Sequence, residues 1–211
     1  MADFKTRYTD GARRRFFKVG VVLARRGATA DMLTITGLLL QVAAVPLILS
    51  GHFKWALLVG GIGAVCDALD GAVARAGAGS TKAGAFLDST TDRLSELVIS
   101  GALVVYFARH DQWLPTAAVL WFMGAAQMVS YSRARAEALG VECKVGFMSR
   151  PERMVGLGLG FLFSGWHIGD VSALVLMMYL LAVLTSLTVF QRVRHVLRSL
   201  RATEERPAGL A

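Results

Sequence analysis

Six stretches of predominantly apolar residues dominate this chain, roughly 32–50, 55–74, 84–108, 113–132, 152–166 and 171–191. Crossing a bilayer core takes about 20 such residues per helix. The fifth stretch is the shortest and contains the glycine-rich string GLGLGF. Hydrophobic residues make up 55% of the 211 residues and charged residues 18%, against about 25% charge in a soluble domain. A chain this apolar buries itself, so neither a disordered protein nor an ordinary soluble domain fits. The net charge of +8 would suit nucleic acid, but it coexists with the apolar runs, and no nucleic-acid partner is expected. Cys66 and Cys143 are the two cysteines; they cannot staple a fold and lack the spacing of a zinc site.

The basic residues set an expected topology. Outside the apolar stretches, eight Lys/Arg fall in residues 1–31, two near 75–82, five in 133–153 and five from 192 onward. The intervening loops near 51–54, 109–112 and 166–170 hold one, one and none. Under the positive-inside rule this places both termini in the cytoplasm and supports an even number of spans. No cleavable signal peptide is visible in residues 1–31. Residues 13–27, RRRFFKVGVVLARRG, read either as an interfacial helix with apolar residues between basic clusters or as a basic arm. The expected fold is therefore an all-α integral membrane protein. It has six transmembrane helices, an N-terminal juxtamembrane amphipathic helix within 1–31, and a flexible tail over 198–211. With no internal repeat and no linker, one domain is expected over 1–211.

Five of the 15 acids lie in residues 67–96: Asp67, Asp70, Asp88, Asp92 and Glu96. A carboxylate inside a bilayer costs several kcal/mol unless it faces a polar cavity, a cation or a partner. Asp67 and Asp70 are i,i+3, and Asp88 and Asp92 are i,i+4, so each pair shares one helix face. Four carboxylates facing one volume would repel unless a cation held them, and hard oxygen ligands suit Mg²⁺, Mn²⁺ or Ca²⁺. Ordinary loop-end charges, some paired with Arg75 and Arg93, are the plainer alternative. Glu96, one turn beyond Asp92, reads as a supporting rather than a ligating residue.

The segment CDALDGAVARAGAGSTKAGAFLDSTTD resembles the signature of the CDP-alcohol phosphotransferases, D-x-x-D-G-x-x-A-R-x(8)-G-x-x-x-D-x-x-x-D. Each fixed position is present: Asp67, Asp70, Gly71, Ala74, Arg75, Gly84, Asp88 and Asp92. The resemblance implies a transferase in which an acceptor hydroxyl attacks the β-phosphorus of a CDP-linked lipid and expels CMP. It further implies two Mg²⁺ ions, with Mn²⁺ as a possible substitute, held by Asp67, Asp70, Asp88 and Asp92. Asp92 would also accept the hydroxyl proton. Asp31, Met32, Leu33, Thr34, Gly71, Ala74, Arg75 and Thr81 would hold the CDP-lipid, although an N-cap by Thr29 or Asp31 equally explains the start of the first stretch. The resemblance also implies a homodimer and a multi-pass plasma-membrane protein with a cytoplasmic active site.

Residues 130–153, SYSRARAEALGVECKVGFMSRPER, bear on the acceptor. Ser149 and Glu152 fit a capping box with Pro151 in the first turn, which predicts a helix start there. The basic residues serve either the positive-inside rule alone or an anion. The pattern is similar to the phosphatidylinositol phosphate synthase branch of the family. That similarity implies a phosphorylated polyol acceptor, inositol 1-phosphate (1D-myo-inositol 3-phosphate), gripped by Arg133, Arg153 and Arg192. Arg133 stands where that branch carries Lys. Glycerol 3-phosphate is the alternative acceptor. A cation transporter using the intramembrane acids is the alternative of another class, and it would spread its acids through the membrane depth.

Overall fold

The computed structural model describes residues 18–77, 79 and 81–204. Helix α1 is described over 18–25. It is followed by α2 (Ala30–Leu49), α3 (Phe53–Ala76), α4 (Lys82–Arg109), α5 (Trp113–Ala138) and α6 (Arg150–Leu162). Strands β1 (His167–Ile168) and β2 (Val171–Ser172) precede α7 (Ala173–Glu204). Each of the six apolar stretches is a helix. The two-residue antiparallel ladder β1–β2 is the departure from the all-α expectation. It forms where Gly169, at φ 61°, turns the chain back between two short extended pieces. Helix α7 also runs through the expected start of the tail at 198; only 205–211 lie outside the described residues. The expected interfacial helix is helical from 18 to 25, and residues 13–17 lie outside the described ones.

Among the described residues, three helices are both long and apolar enough to cross a membrane: Ala30–Leu49, Phe53–Ala76 and Ala173–Thr203. The other three fall short for different physical reasons. Asp88, Asp92, Arg93 and Glu96 load the first half of α4 with charge. Trp, Pro and Gln dilute α5. Helix α6 has 13 residues; at ~1.5 Å per residue it extends roughly 20 Å, less than the ~30 Å hydrocarbon core.

Contacts group the chain into two compact units, one ending at Ile99 and one starting at Ser100, so that α4 runs through the division. In the first unit, α2 begins at an N-cap in which Thr29 accepts from the Met32 amide at 3.2 Å. This settles the capping role on Thr29 and leaves Asp31 in the first turn, favourably placed toward the helix dipole. Helices α2 and α3 meet through small residues. A Cβ on Gly63 would lie 2.9 Å from the Gly37 carbonyl oxygen, and one on Gly37 would lie 3.0 Å from the Gly63 oxygen. One turn further along α2, Gln41 donates to the Gly60 carbonyl at 3.1 Å. Such close backbone approach is how helices associate where apolar burial alone gives no advantage over lipid. Gly20 of α1 packs the same way on α3, where an added Cβ would meet Ala72 at 2.8 Å.

In the second unit, α7 is the common partner of α5 and α6. Trp121 donates to Ser186 at 2.8 Å, and Gly156 lets α6 sit against Leu181, which a Cβ would meet at 2.7 Å. Helix α6 starts where the sequence predicts. The capping box itself differs: the Ser149 hydroxyl donates to the Glu152 carboxylate rather than accepting from a backbone amide.

Candidate active site

The last three turns of α3 and the first three of α4 carry the aspartates. Asp67, Asp70 and Asp88 each offer a carboxylate oxygen, and these oxygens lie within 4.8 Å of one another. Asp70 is buried, at 7% exposure, while Asp67 and Asp88 are half-buried. Thr34, buried on α2, donates to Asp70 Oδ2 at 2.6 Å. Three converging carboxylates of this kind repel unless a cation sits among them, and an all-oxygen donor set fits a hard divalent ion. Asp92 lies one turn further along α4, half-buried, and is not in the group of three. Glu96, the next turn on, is 2% exposed, in keeping with a supporting place rather than an open one.

Beside the aspartates a cavity of about 410 Å³ is lined by Asp70 and Asp88 and, among the expected nucleotide residues, by Asp31, Thr34, Gly71, Ala74 and Thr81. Met32, Leu33 and Arg75 do not line it; Met32 is 58% exposed, and the Arg75 guanidinium lies near Gly71, 3.4 Å from where a Cβ would stand. Thr81 accepts from the Gly84 amide at 2.9 Å and so starts α4. A Cβ on Gly84 would lie close to two side chains, 3.1 Å from Thr81 Oγ1 and 3.4 Å from Asp31 Oδ1. The remaining wall is Ala24, Ala28, Thr29, Ala30, Val73, Gly77, Gly79, Gly84 and Ala85. Ala24 and Ala28, at the α1–α2 joint, were not legible as site residues. Their only signal is the run of small side chains beside a basic helix.

The three arginines expected to grip the acceptor belong to the second unit. Arg153 is 1% exposed and Arg192 4%. Arg153 donates to the Met148 carbonyl at 3.0 Å. Arg192 donates to the Val145 carbonyl at 3.0 Å and to that of Val129 at 2.5 Å. Arg133 differs: it is exposed and pairs with Glu137 one turn on at 2.9 Å.

Comparison with known proteins points to one family. The sequence model of the CDP-alcohol phosphatidyltransferases matches residues 28–198. The phosphatidylinositol phosphate synthase of Mycobacteroides abscessus is 39% identical over 178 residues, covering 82% of this chain and 80% of that protein. The archaetidylinositol phosphate synthase of Pyrococcus horikoshii is 36% identical over 178 residues, 83% of this chain and 87% of that one. Among solved structures, Mycobacterium tuberculosis phosphatidylinositol phosphate synthase with CDP-DAG bound superposes with a TM-score of 0.78 at 35% identity, covering 87% of this chain and 94% of that chain. The same enzyme in complex with manganese and citrate gives a TM-score of 0.78 at 35% identity, over 86% and 88%. The aspartate cluster, the small-walled cavity beside it and a match across most of the chain lead to one assignment: this protein belongs to the CDP-alcohol phosphatidyltransferase family and is a membrane-integral transferase of phosphate-containing groups.

Proposed function

We propose that this chain transfers the phosphatidyl group of CDP-diacylglycerol to a phosphorylated polyol, inositol 1-phosphate, and releases CMP. The observation that carries the reading is the meeting of Asp67, Asp70 and Asp88 within 4.8 Å beside a cavity walled by glycine and alanine. Such a wall lets a flat base and a diphosphate reach the backbone. The relatives named phosphatidylinositol phosphate synthase support the acceptor.

Asp67, Asp70 and Asp88 would hold the first of two Mg²⁺ ions, with Asp92 completing a second site; Mn²⁺ could replace either. When bound, the metal neutralises the diphosphate oxygens and the departing CMP. Asp92 would take the proton from the acceptor hydroxyl as that oxygen bonds to the β-phosphorus. The bond from the β-phosphorus to the bridging oxygen breaks, and CMP leaves with that oxygen. Asp31, Thr34, Gly71, Ala74 and Thr81 would cradle the nucleotide, with Met32, Leu33 and Arg75 closing over it. Arg153 and Arg192 would bind the acceptor phosphate through charge-assisted hydrogen bonds, and Arg133 would join them on leaving Glu137.

Six membrane crossings, with both termini and the active site in the cytoplasm, fit the distribution of Lys and Arg; the plasma-membrane homodimer rests on the family resemblance alone. The decisive experiment supplies purified protein with labelled CDP-diacylglycerol, Mg²⁺ and, separately, inositol 1-phosphate, inositol, glycerol 3-phosphate and serine. Phosphatidyl transfer fastest to inositol 1-phosphate is expected. Transfer preferring glycerol 3-phosphate moves the assignment to that acceptor, and equal use of free inositol removes the need for a phosphate site.

A further inference from the structure

The eleven residues between α5 and α6, 139–149, are not a slack connection. They lie along α7 and are fastened to it at four points. His195 Nε2 donates to the Glu142 carbonyl at 3.1 Å; a carbonyl only accepts, so the proton is on that nitrogen. Arg192 Nε donates to the Val145 carbonyl at 3.0 Å. Gly146, at φ 101°, passes so close to Thr188 that a Cβ would lie 2.5 Å from Thr188 Cγ2. The Met148 amide donates to Thr188 Oγ1 at 3.2 Å. Within this strap Cys143 is fully buried and Met148 is 7% exposed.

Met148 is the joint. Its N–H is held by Thr188 of α7, and its C=O receives the guanidinium of Arg153 at 3.0 Å. One peptide segment therefore links the position of α7 to the direction in which a fully buried arginine points. Arg192 is tied to the same strap. We infer that Thr188 and Gly146 are positioning residues for the acceptor: they clasp the 139–149 strap to α7 and thereby aim Arg153 and Arg192 at the acceptor phosphate. This rests on the assignment of those arginines to the acceptor. Thr188 acts through Met148, whose amide it holds. A buried amide left without its acceptor shifts to find another, and the carbonyl that orients Arg153 shifts with it.

The test compares Thr188→Val, which keeps the shape and removes the hydroxyl, with Thr188→Ser, which keeps the hydroxyl. Thr188→Val should raise the KM for inositol 1-phosphate about 10-fold with the KM for CDP-diacylglycerol unchanged, and Thr188→Ser should stay near wild type. Maleimide labelling of Cys143, followed by mass spectrometry against Cys66, should be faster in Thr188→Val than in Thr188→Ser. An unchanged acceptor KM in Thr188→Val, or an equal rise for both substrates, overturns the proposal. If Thr188→Val does not fold, the wild-type protein decides. Inositol 1-phosphate should slow Cys143 labelling, and a labelling rate indifferent to it overturns the proposal. Should wild type use inositol and inositol 1-phosphate equally, the acceptor assignment falls. Should it discriminate between them while Thr188→Val behaves as wild type, only the strap falls.

Discussion

Thr34 donates its hydroxyl to Asp70 Oδ2 at 2.6 Å across 36 residues of sequence. The same hydroxyl lies 3.0 Å from the Ala30 carbonyl, but it has one proton to give, and the shorter contact to a carboxylate is the stronger. The bond ties α2 to α3 and fixes the rotation of the most buried carboxylate in the cluster. Groups that orient a ligand in this way are worth about 10- to 100-fold in metal affinity. Thr34→Val should therefore weaken Mn²⁺ binding about 10-fold, with Thr34→Ser close to wild type. Titration of Mn²⁺ into the metal-free protein measures both.

Removal of the metal should stop the reaction. Chelation with EDTA is expected to abolish CMP release, with Mg²⁺ or Mn²⁺ restoring it. Full turnover after exhaustive chelation would show that Asp67, Asp70 and Asp88 are held together for another purpose.

Asp92 lies outside the group of three, and the proposed function assigns it the acceptor's proton. Replacing it by Asn keeps the shape and removes the base, so turnover should fall about 10²–10⁴-fold while CDP-diacylglycerol still binds. Equilibrium binding of the labelled lipid alongside turnover separates the two effects. A variant that turned over normally would release Asp92 from this role.

The arginines should not be equal. Arg153 is 1% exposed and Arg133 is an exposed partner of Glu137. A hydrogen bond to a charged group contributes about 1.5–3 kcal/mol, so Arg153→Ala should raise the acceptor KM roughly 10- to 150-fold. Arg133→Ala should raise it less. Steady-state kinetics with each substrate varied in turn checks the ranking.

The Gly37–Gly63 contact predicts a stability effect confined to two glycines. Gly63→Ala drives a methyl against the Gly37 carbonyl oxygen at 2.9 Å, and backbone cannot rotate away as a side chain can. A loss of about 1–3 kcal/mol is expected. Gly61→Ala, with open space around its Cβ position, should be neutral. Thermal unfolding in detergent distinguishes them.

The sequence and the structure agree best where a physical period is involved. The apolar stretches became helices with ends shifted by a few residues, because length and hydropathy decide a helix more strongly than its caps do. The meeting of Asp67, Asp70 and Asp88 was legible from the i,i+3 and i,i+4 spacings and a matching signature, whereas Asp92, expected with them, is not in that group. What escaped is close approach. Gly20 sits in a stretch that reads as an interfacial helix, and nothing in that pattern says that it rests on Ala72 of α3. The carbonyl partners of Arg153 and Arg192 escaped for a related reason. A basic loop reads as surface charge, whereas the strap turns two of its neighbours inward through contacts about 40 residues apart. The β1–β2 ladder is too short to leave an alternating pattern.

The cavity beside Asp70 and Asp88 is shaped mainly by what its walls lack. Gly71, Ala74, Gly77, Gly79, Gly84 and Ala85 line it, and a single methyl on Gly84 already crowds Thr81 and Asp31. Under the proposed reading, nearly every substitution available to these positions adds atoms to the space assigned to the nucleotide. A compound that fills that space would therefore be hard to escape by point mutation, since a side chain large enough to exclude the inhibitor would stand in the way of the substrate as well.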